Sequence, residues 1–327
     1  MTYTGILGHE RQKAILKRAQ SSGRLAHAYL FEGPEGVGKR LVALALARSL
    51  FCVTKNGCGE CPACRKVDHQ NHPDLHIVEA DGNTIKIEQI RALQKELSFR
   101  PLEGERKICV IEAAEKMNAS SGNALLKTLE EPVGHALLIL LTSRPDAVLP
   151  TIRSRCQRLP FSRLPTAIIR RALAEADAGN EAHAHILATL SDGSFHKALG
   201  RDRDLYQERR KTILKAVTAH SHRSYLPLVA HAAALAEEKE RLTEIRDILR
   251  ASYRDLLLCQ HGWPEDDLVN RDLIEKVRRI AAQESPPTLL RKIEAINAAY
   301  FYLERNVNGQ LIFEVLLMRL TATQSHH

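Results

Sequence analysis

The chain has 327 residues, with 47 Lys and Arg against 39 Asp and Glu, a formal net charge of +8. No apolar run approaches the roughly 20 residues of a membrane-spanning helix, and no basic-then-apolar leader opens the sequence, so a cytoplasmic protein without a membrane partner is expected. The length suits two or three domains, aromatics at 5% are too sparse for base-stacking platforms, and the positive charge permits a nucleic-acid or acidic partner without requiring one.

In chain order, Ile6, Ala14, Ile15 and Ala19 predict a helix over 6–22. A short apolar run follows at Tyr29–Phe31, then Gly33-Pro34-Glu35-Gly36-Val37-Gly38-Lys39-Arg40, then a helix apolar on most sides (Leu41, Leu44, Leu46, Leu50). Further apolar runs at Leu75–Val78, Ile108–Ile111 and Leu137–Leu141 read as buried strands. Between them lie an amphipathic helix with Ile87, Ile90, Leu93 and Leu97 on one face and another from about Ser120 to Leu129. Strand–helix alternation behind a glycine-rich first turn implies an α/β domain whose parallel sheet is covered by helices on both faces. It should end between Pro160 and Pro165, giving a first domain at 1–163.

After Pro165 no strand is expected. Short helices broken at 178–180 and at Asp192-Gly193 form a small helical lid domain, 164–205. Long amphipathic helices fill an all-α C-terminal domain, 206–327; one repeats Leu242, Ile245, Ile248, Leu249, Tyr253, Leu256 and Leu257, and the last carries Leu311, Val315, Leu316 and Leu320. His183/His185 and His220/His222, two apart and so divergent on a helix, read as solvated surface, as does Arg209-Arg210-Lys211.

The glycine-rich stretch matches a phosphate loop: a glycine, four residues, then Gly-Lys. There the glycines let backbone N–H groups cradle phosphate oxygens at a helix N-terminus and the lysine reaches the outer phosphates. Gly33, Gly36, Gly38 and Lys39 are the candidate nucleotide-binding residues. The loop is degenerate, because the Ser or Thr that holds Mg²⁺ in this pattern is replaced by Arg40. The second conserved element of such sites is a strand ending in an acid for Mg²⁺, followed by a base for water. Here Ile108–Ile111 runs into Glu112, in the metal-acid position, and Ala113, which has no base to offer; Glu115 is a more distant alternative. ATP binding through Lys39 and the loop amides is therefore compatible with the sequence, and hydrolysis is not expected. Thr142 stands either as a γ-phosphate sensor or as a strand-end hydroxyl satisfied by backbone.

Cys52, Cys58, Cys61 and Cys64 fall within thirteen residues. Consecutive Cys-x-x-Cys steps turn thiolates toward one ion, with Gly57 and Gly59 allowing the tight turns, and four sulfurs suit a closed, structural Zn²⁺. Free buried cysteines and an iron–sulfur cluster are the alternatives, and His69 or His72 could replace one sulfur. Cys109, Cys156 and Cys259 stand alone and read as core or incidental residues. A zinc-dependent DNA-binding module would need a basic surround, and Lys55, Arg65 and Lys66 are a modest set beside Glu60; a rigid clip is the favoured role.

His27–Phe31, the phosphate loop, the cysteine quartet, Asn123–Pro132, Thr151-Ile152-Arg153-Ser154-Arg155-Cys156 and Asn306-Val307-Asn308 together resemble bacterial clamp-loader subunits of the AAA+ class. The resemblance spans the chain. It implies an AAA+ phosphate-loop domain, a helical lid and a C-terminal collar domain. It further implies a pentameric loader within the DNA polymerase III holoenzyme, with gamma/tau and delta subunits as partners and the sliding clamp and primed DNA reached through the complex. In this family the Ser154-Arg155-Cys156 arginine projects into the neighbour's ATP site, which makes Arg155 an arginine finger in trans; from the chain alone it is a surface arginine in the basic run 153–158. Active members place a lid arginine over their own nucleotide where this sequence has His196 and Lys197. The favoured expectation is thus a non-catalytic stator subunit with no ATPase of its own, and the alternative is an active loader ATPase resembling gamma/tau.

Overall fold

The computed structural model describes residues 3–132, 136–176, 181–191, 193–194, 210, 226–237, 242–303, 305 and 307–321. The chain divides into two compact units, Met1–Ala172 with Ser191–Leu199, and Leu173–Leu190 with Gly200–His327. His196, Lys197, Arg209, Lys211, His220, His222 and Asn306 lie outside the described residues, as does the side chain of His183.

The first unit is built on five parallel strands: β1 (Ala28–Glu32), β2 (Leu75–Val78), β3 (Lys107–Ile111), β4 (Ala136–Thr142) and β5 (Gln157–Pro160), in the order β2-β3-β4-β1-β5. Its helices are α1 (Glu10–Ser21), α2 (Lys39–Phe51), α3 (Pro62–Asp68), α4 (Ile87–Ser98), α5 (Ala119–Glu130) and the short α6 (Pro150–Arg153); α7 (Thr166–Ala176) follows β5. Alternate strand residues feed two cores. Tyr29, Phe31, Val110 and Ile139 pack with Val42 and Leu46 of α2, whereas Leu30, Cys109, Ile111 and Leu138 pack with Ile90 of α4 and Leu125 of α5. Burial on both faces is why β1, β3 and β4 read as continuous apolar runs.

Two local expectations are corrected. The first helix starts at Glu10 rather than near residue 6, because Gly8 and His9 both take left-handed backbone angles (φ 66° and 57°) that no helix continues through. A fifth strand that sequence reasoning did not assign, β5, ends at Pro160, where the domain is expected to close; it is an edge strand paired only to β1. Three of its four residues are exposed, so it carries no apolar signature.

The described helices of the second unit are α8 (Glu181–Leu190), α9 (Leu226–Glu237), α10 (Leu242–Gln260), α11 (Ile274–Ala281), α12 (Pro286–Leu303) and α13 (Gly309–Thr321). Ile245, Ile248, Leu249, Tyr253 and Leu256 of α10 are buried as the spacing predicts, and α10 packs on α11 and α12. On α13 the buried face is Ile312, Phe313, Leu316, Leu317 and Leu320, while Leu311 and Val315 point outward. His185 and Arg210 are not solvated. His185 Nε2 sits 2.8 Å from the Leu268 carbonyl, and Arg210 is fully enclosed, with Nε donating to Asn270 Oδ1 at 2.8 Å and Nη1 to Asp272 Oδ2 at 3.0 Å. Their polar partners lie 60 to 83 residues away in sequence and leave no local trace. No helix among the described residues is long and apolar enough to cross a membrane.

Candidate functional site

Parallel strands send their carboxyl ends to one edge of the sheet, and ligands of such sheets bind there. A cavity of about 1080 Å³ opens at that edge, lined among others by Gly36, Gly38, Lys39, Arg40, Glu112 and Glu115. The loop between β1 and α2 forms its floor. Gly33, Gly36 and Gly38 have φ of 151°, 73° and 109°, backbone that favours glycine. Gly33 is further fixed by space, since a Cβ there would stand 2.1 Å from the Phe161 carbonyl oxygen just beyond β5. Its N–H donates to the Thr142 carbonyl at 3.1 Å, tying the loop to the end of β4.

Lys39 is buried and folds back on the loop, Nζ donating to the Gly33 and Pro34 carbonyls at 2.5 and 2.6 Å. Burial lowers its pKa, and the nearby Glu115 and Glu35 carboxylates oppose that. Arg40 turns to the acids: Nε lies 2.9 Å from Glu112 Oε1, Nη1 lies 3.2 Å from Glu79 Oε1, and Nη2 donates to Gln70 Oε1 at 2.9 Å. The contact with Glu112 is a close ion pair rather than an aligned hydrogen bond, because Oε1 of Glu112 accepts none. Burial raises the Glu112 pKa, Arg40 counters it and Glu79 reinforces it.

Ala113 follows in a left-handed conformation (φ 49°, ψ 55°) and presents only a methyl group where a water-activating acid would stand. Glu115 is turned to the loop after β4, where its Oε1 accepts from Ser143 Oγ at 2.6 Å and Ser143 N at 3.2 Å. Burial alone would raise its pKa, but hydrogen bonds led by Ser143 outweigh that and hold it low. The Thr142 hydroxyl accepts from the Arg144 N–H at 3.1 Å and also helps hold the Glu115 pKa down.

His9 is a member of this neighbourhood that sequence reasoning missed. Its Nε2 is 2.7 Å from the Val37 carbonyl and its ring lies 4.9 Å from Phe161, so it props the loop from outside. Burial keeps its pKa below the ordinary histidine value despite the Val37 bond. The only local hint is a non-glycine residue in left-handed backbone, which is not readable from sequence.

Arg155 does not line the cavity. It lies past the end of α6, partly exposed, with Nη2 2.7 Å from Glu130 Oε1 and Nη1 donating to the Thr151 carbonyl at 3.1 Å. Its neighbours in the basic run are also paired, Arg153 with Asp146 at 3.0 Å and Arg158 with Glu32 at 3.0 Å.

The thiol cluster is assembled. Cys52 caps the end of α2, Cys58 follows a turn with Gly57 at φ 74°, Cys61 precedes α3 and Cys64 lies within it. All four sulfurs fall within 4.8 Å of one another, with Cys52–Cys58 at 3.6 Å, Cys58–Cys64 at 3.9 Å and Cys52–Cys61 at 4.0 Å. Tetrahedral zinc with Zn–S near 2.3 Å needs sulfurs about 3.8 Å apart, so the set fits that ion. Backbone N–H groups of Cys58 and Cys61 each lie 3.4 Å from a sulfur, Cys52 and Cys58 respectively. Burial would raise the Cys52 thiol, but hydrogen bonds from Thr54 and the Cys58 amide bring it down to about 5. Neither histidine joins: His72 stacks on Phe51 with centroids 3.9 Å apart and accepts from Asp74 N, and His69 is exposed past α3. Of the basic residues beside the cluster, Lys55 and Lys66 pair with Glu105 and Glu103, while Arg65 is exposed.

Residues 8–165 match the family described as DNA polymerase III, delta subunit, and residues 204–322 match its C-terminal counterpart. A delta-prime subunit of DNA polymerase III from Bacillus subtilis is 36% identical over 320 residues, 95% of this chain and 97% of the relative. A delta-prime subunit from Pseudomonas aeruginosa is 36% identical over 213 residues, 63% of this chain and 65% of the relative. The tau subunit of Bacillus subtilis is 25% identical over 348 residues, 98% of this chain but 62% of the relative. Within one organism, and over nearly the whole chain, likeness to delta-prime thus exceeds likeness to tau. The chain belongs to the clamp-loader subunits of bacterial DNA polymerase III, on their delta-prime branch.

Proposed function

We propose that this chain is a cytoplasmic, non-catalytic stator of the DNA polymerase III clamp loader, which helps load the sliding clamp on primed DNA in company with gamma/tau and delta subunits. The observation that carries this reading is the pairing of Arg40 with Glu112 at 2.9 Å, beside Ala113. The place of a magnesium ion's hydroxyl ligand and the place of its carboxylate ligand hold each other, and nothing stands where water would be activated. Gly33, Gly36, Gly38 and Lys39 retain a cradle for phosphate, so nucleotide can be held without being cleaved.

In this reading Arg155 works on a neighbour. Its position away from the chain's own cavity and its partial exposure support a role as a finger in trans, with Glu130 steadying the guanidinium until a phosphate takes over. Residues 1–163 carry the loop and finger, 164–205 the lid and 206–327 the collar. The outward row Leu311, Val315 and Met318 on α13 supports the collar assignment, because apolar residues left in water at helical spacing suit a helix that associates. Cys52, Cys58, Cys61 and Cys64 would hold a structural Zn²⁺, which when bound cross-links the end of α2 to α3.

The test is ATP hydrolysis by the purified chain, followed by clamp loading in a reconstituted complex with and without it. Hydrolysis at background together with loading that depends on the chain is the expected result. Turnover comparable to a working loader ATPase would overturn the stator reading in favour of an active gamma/tau-like motor.

A further inference from the structure

Arg48, on the last turn of α2, is an anomaly that the nucleotide site does not use. It is 3% exposed. Its Nη2 pairs with Asp68, the last residue of α3. Its Nε and Nη1 are enclosed and make no hydrogen bond. A buried guanidinium with two idle nitrogens is costly unless something not yet counted answers it.

The cysteine cluster is that neighbour. The Arg48 carbonyl accepts the Cys52 N–H at 2.9 Å, and its Cγ and Cδ lie 3.6 Å from where a Cβ on Gly57 would stand, so the side chain runs beneath the turn carrying Cys58. Cys64 and Cys58 are the groups that act electrostatically on the guanidinium against its burial. Four thiolates around a divalent cation leave a net negative charge, and Cys64 and Cys52 are buried with it. Such a charge away from water needs a fixed counter-charge.

We propose that Arg48 is the charge-balancing and positioning residue of the Cys52–Cys58–Cys61–Cys64 site. Its idle nitrogens answer the thiolate charge, and this sets how tightly zinc is held and how slowly the sulfurs react. Asp68 has a separate job, orienting the guanidinium from the far end of α3. The inference rests on the zinc reading of the cluster, and metal analysis of the unaltered chain tests that reading by itself.

The experiment is zinc competition against a chelating dye on the full chain, with iodoacetamide alkylation of the zinc-loaded protein and the charge-transfer spectrum of the cobalt(II)-loaded protein as further readouts. Arg48→Met is expected to weaken zinc about 10- to 100-fold, to speed alkylation and to shift the cobalt band. Arg48→Lys should recover part of each. Asp68→Asn should hold zinc about as well as the unaltered chain, because it leaves the cation in place. Zinc affinity unchanged in Arg48→Met would overturn the proposal. So would equal losses in Arg48→Met and Asp68→Asn, the mark of an ion pair that only scaffolds the turn. If Arg48→Met does not fold, Arg48→Lys against Asp68→Asn decides: a weaker site in the first alone supports the proposal, and equal affinities overturn it.

Discussion

Nε of Arg40 lies 2.9 Å from Oε1 of Glu112, so the residue at the magnesium-hydroxyl position is bound to the residue at the magnesium-acid position. A guanidinium has no lone pair for a metal and cannot be deprotonated near neutral pH. A divalent ion entering here would have to displace a tethered cation from its carboxylate. The proposed lack of catalysis thus rests on a rearranged site whose charges pair with one another, and Glu79 and Gln70 complete it.

Replacing Arg40 should release Glu112. Arg40→Thr supplies a hydroxyl and frees the carboxylate, so nucleotide affinity should become dependent on Mg²⁺ while ATP turnover stays at background for want of a base at Ala113. A fluorescent nucleotide titrated with and without Mg²⁺, alongside phosphate release, reads both. An unchanged response to Mg²⁺ would show that the pair does not guard the metal position.

Arg155→Ala should leave the fold intact, since an exposed pair such as Arg155–Glu130 contributes at most about 1 kcal/mol. In the assembled loader it should cut clamp- and DNA-stimulated hydrolysis at one neighbouring site by roughly 10³-fold. The measured total would fall less, because the other sites continue. Stimulated hydrolysis equal to that of the unaltered complex would remove Arg155 from the site.

Metal analysis should find about one zinc per chain, and chelation should loosen the α2–α3 junction. If the clip is worth about 2–3 kcal/mol, Tm falls by roughly 5–10 °C on stripping and recovers on adding Zn²⁺. A metal-free preparation with the full Tm would contradict a structural zinc.

Stability should decline as the solution is acidified below about pH 6.5. Burial lowers the pKa of His9, His72 and His76 from the ordinary 6.5, so each stays neutral in the fold at pH values where the unfolded chain takes up a proton. The unfolded state then binds more protons, and stability present above pH 6.5 is lost as pH falls through the folded pKa values. Urea unfolding at pH 7.5 and 5.5 checks the sign, and His9→Asn should shallow the slope.

Gly33→Ala should destabilise the first unit by about 2–3 kcal/mol, because the new Cβ meets backbone that cannot swing aside. The atom it meets is the Phe161 carbonyl oxygen, 2.1 Å away. Urea denaturation of the variant measures the loss, and full stability would mean that β5 yields where it is expected to hold.

What the sequence disclosed follows burial and spacing. β1, β3 and β4 are apolar on both faces and declared themselves, and the four sulfurs were legible because their spacing alone brings them together. β5 was hidden because Gln157, Arg158 and Pro160 face water, and its pairing with β1 rests on backbone bonds and the Arg158–Glu32 ion pair rather than on an apolar face. At the site, the identities of Arg40, Glu112 and Ala113 were readable, but that the first two join is a fact of strand order. His9, His185 and Arg210 are held by partners 28 to 83 residues distant, and no local pattern announces such contacts.

β5 begins two residues after Arg155 and hydrogen-bonds directly to β1, whose last residue, Glu32, is clasped by Arg158 just before Gly33. The glycine-rich loop and the outward arginine are thus stations on two adjacent rails of one sheet. With Lys39 and Arg40 already held by partners within the chain, filling or emptying of the cavity is expected to leave the backbone that carries Arg155 where it stands. A neighbour timed by that arginine would then meet a datum that does not drift with the filling of this chain's cavity.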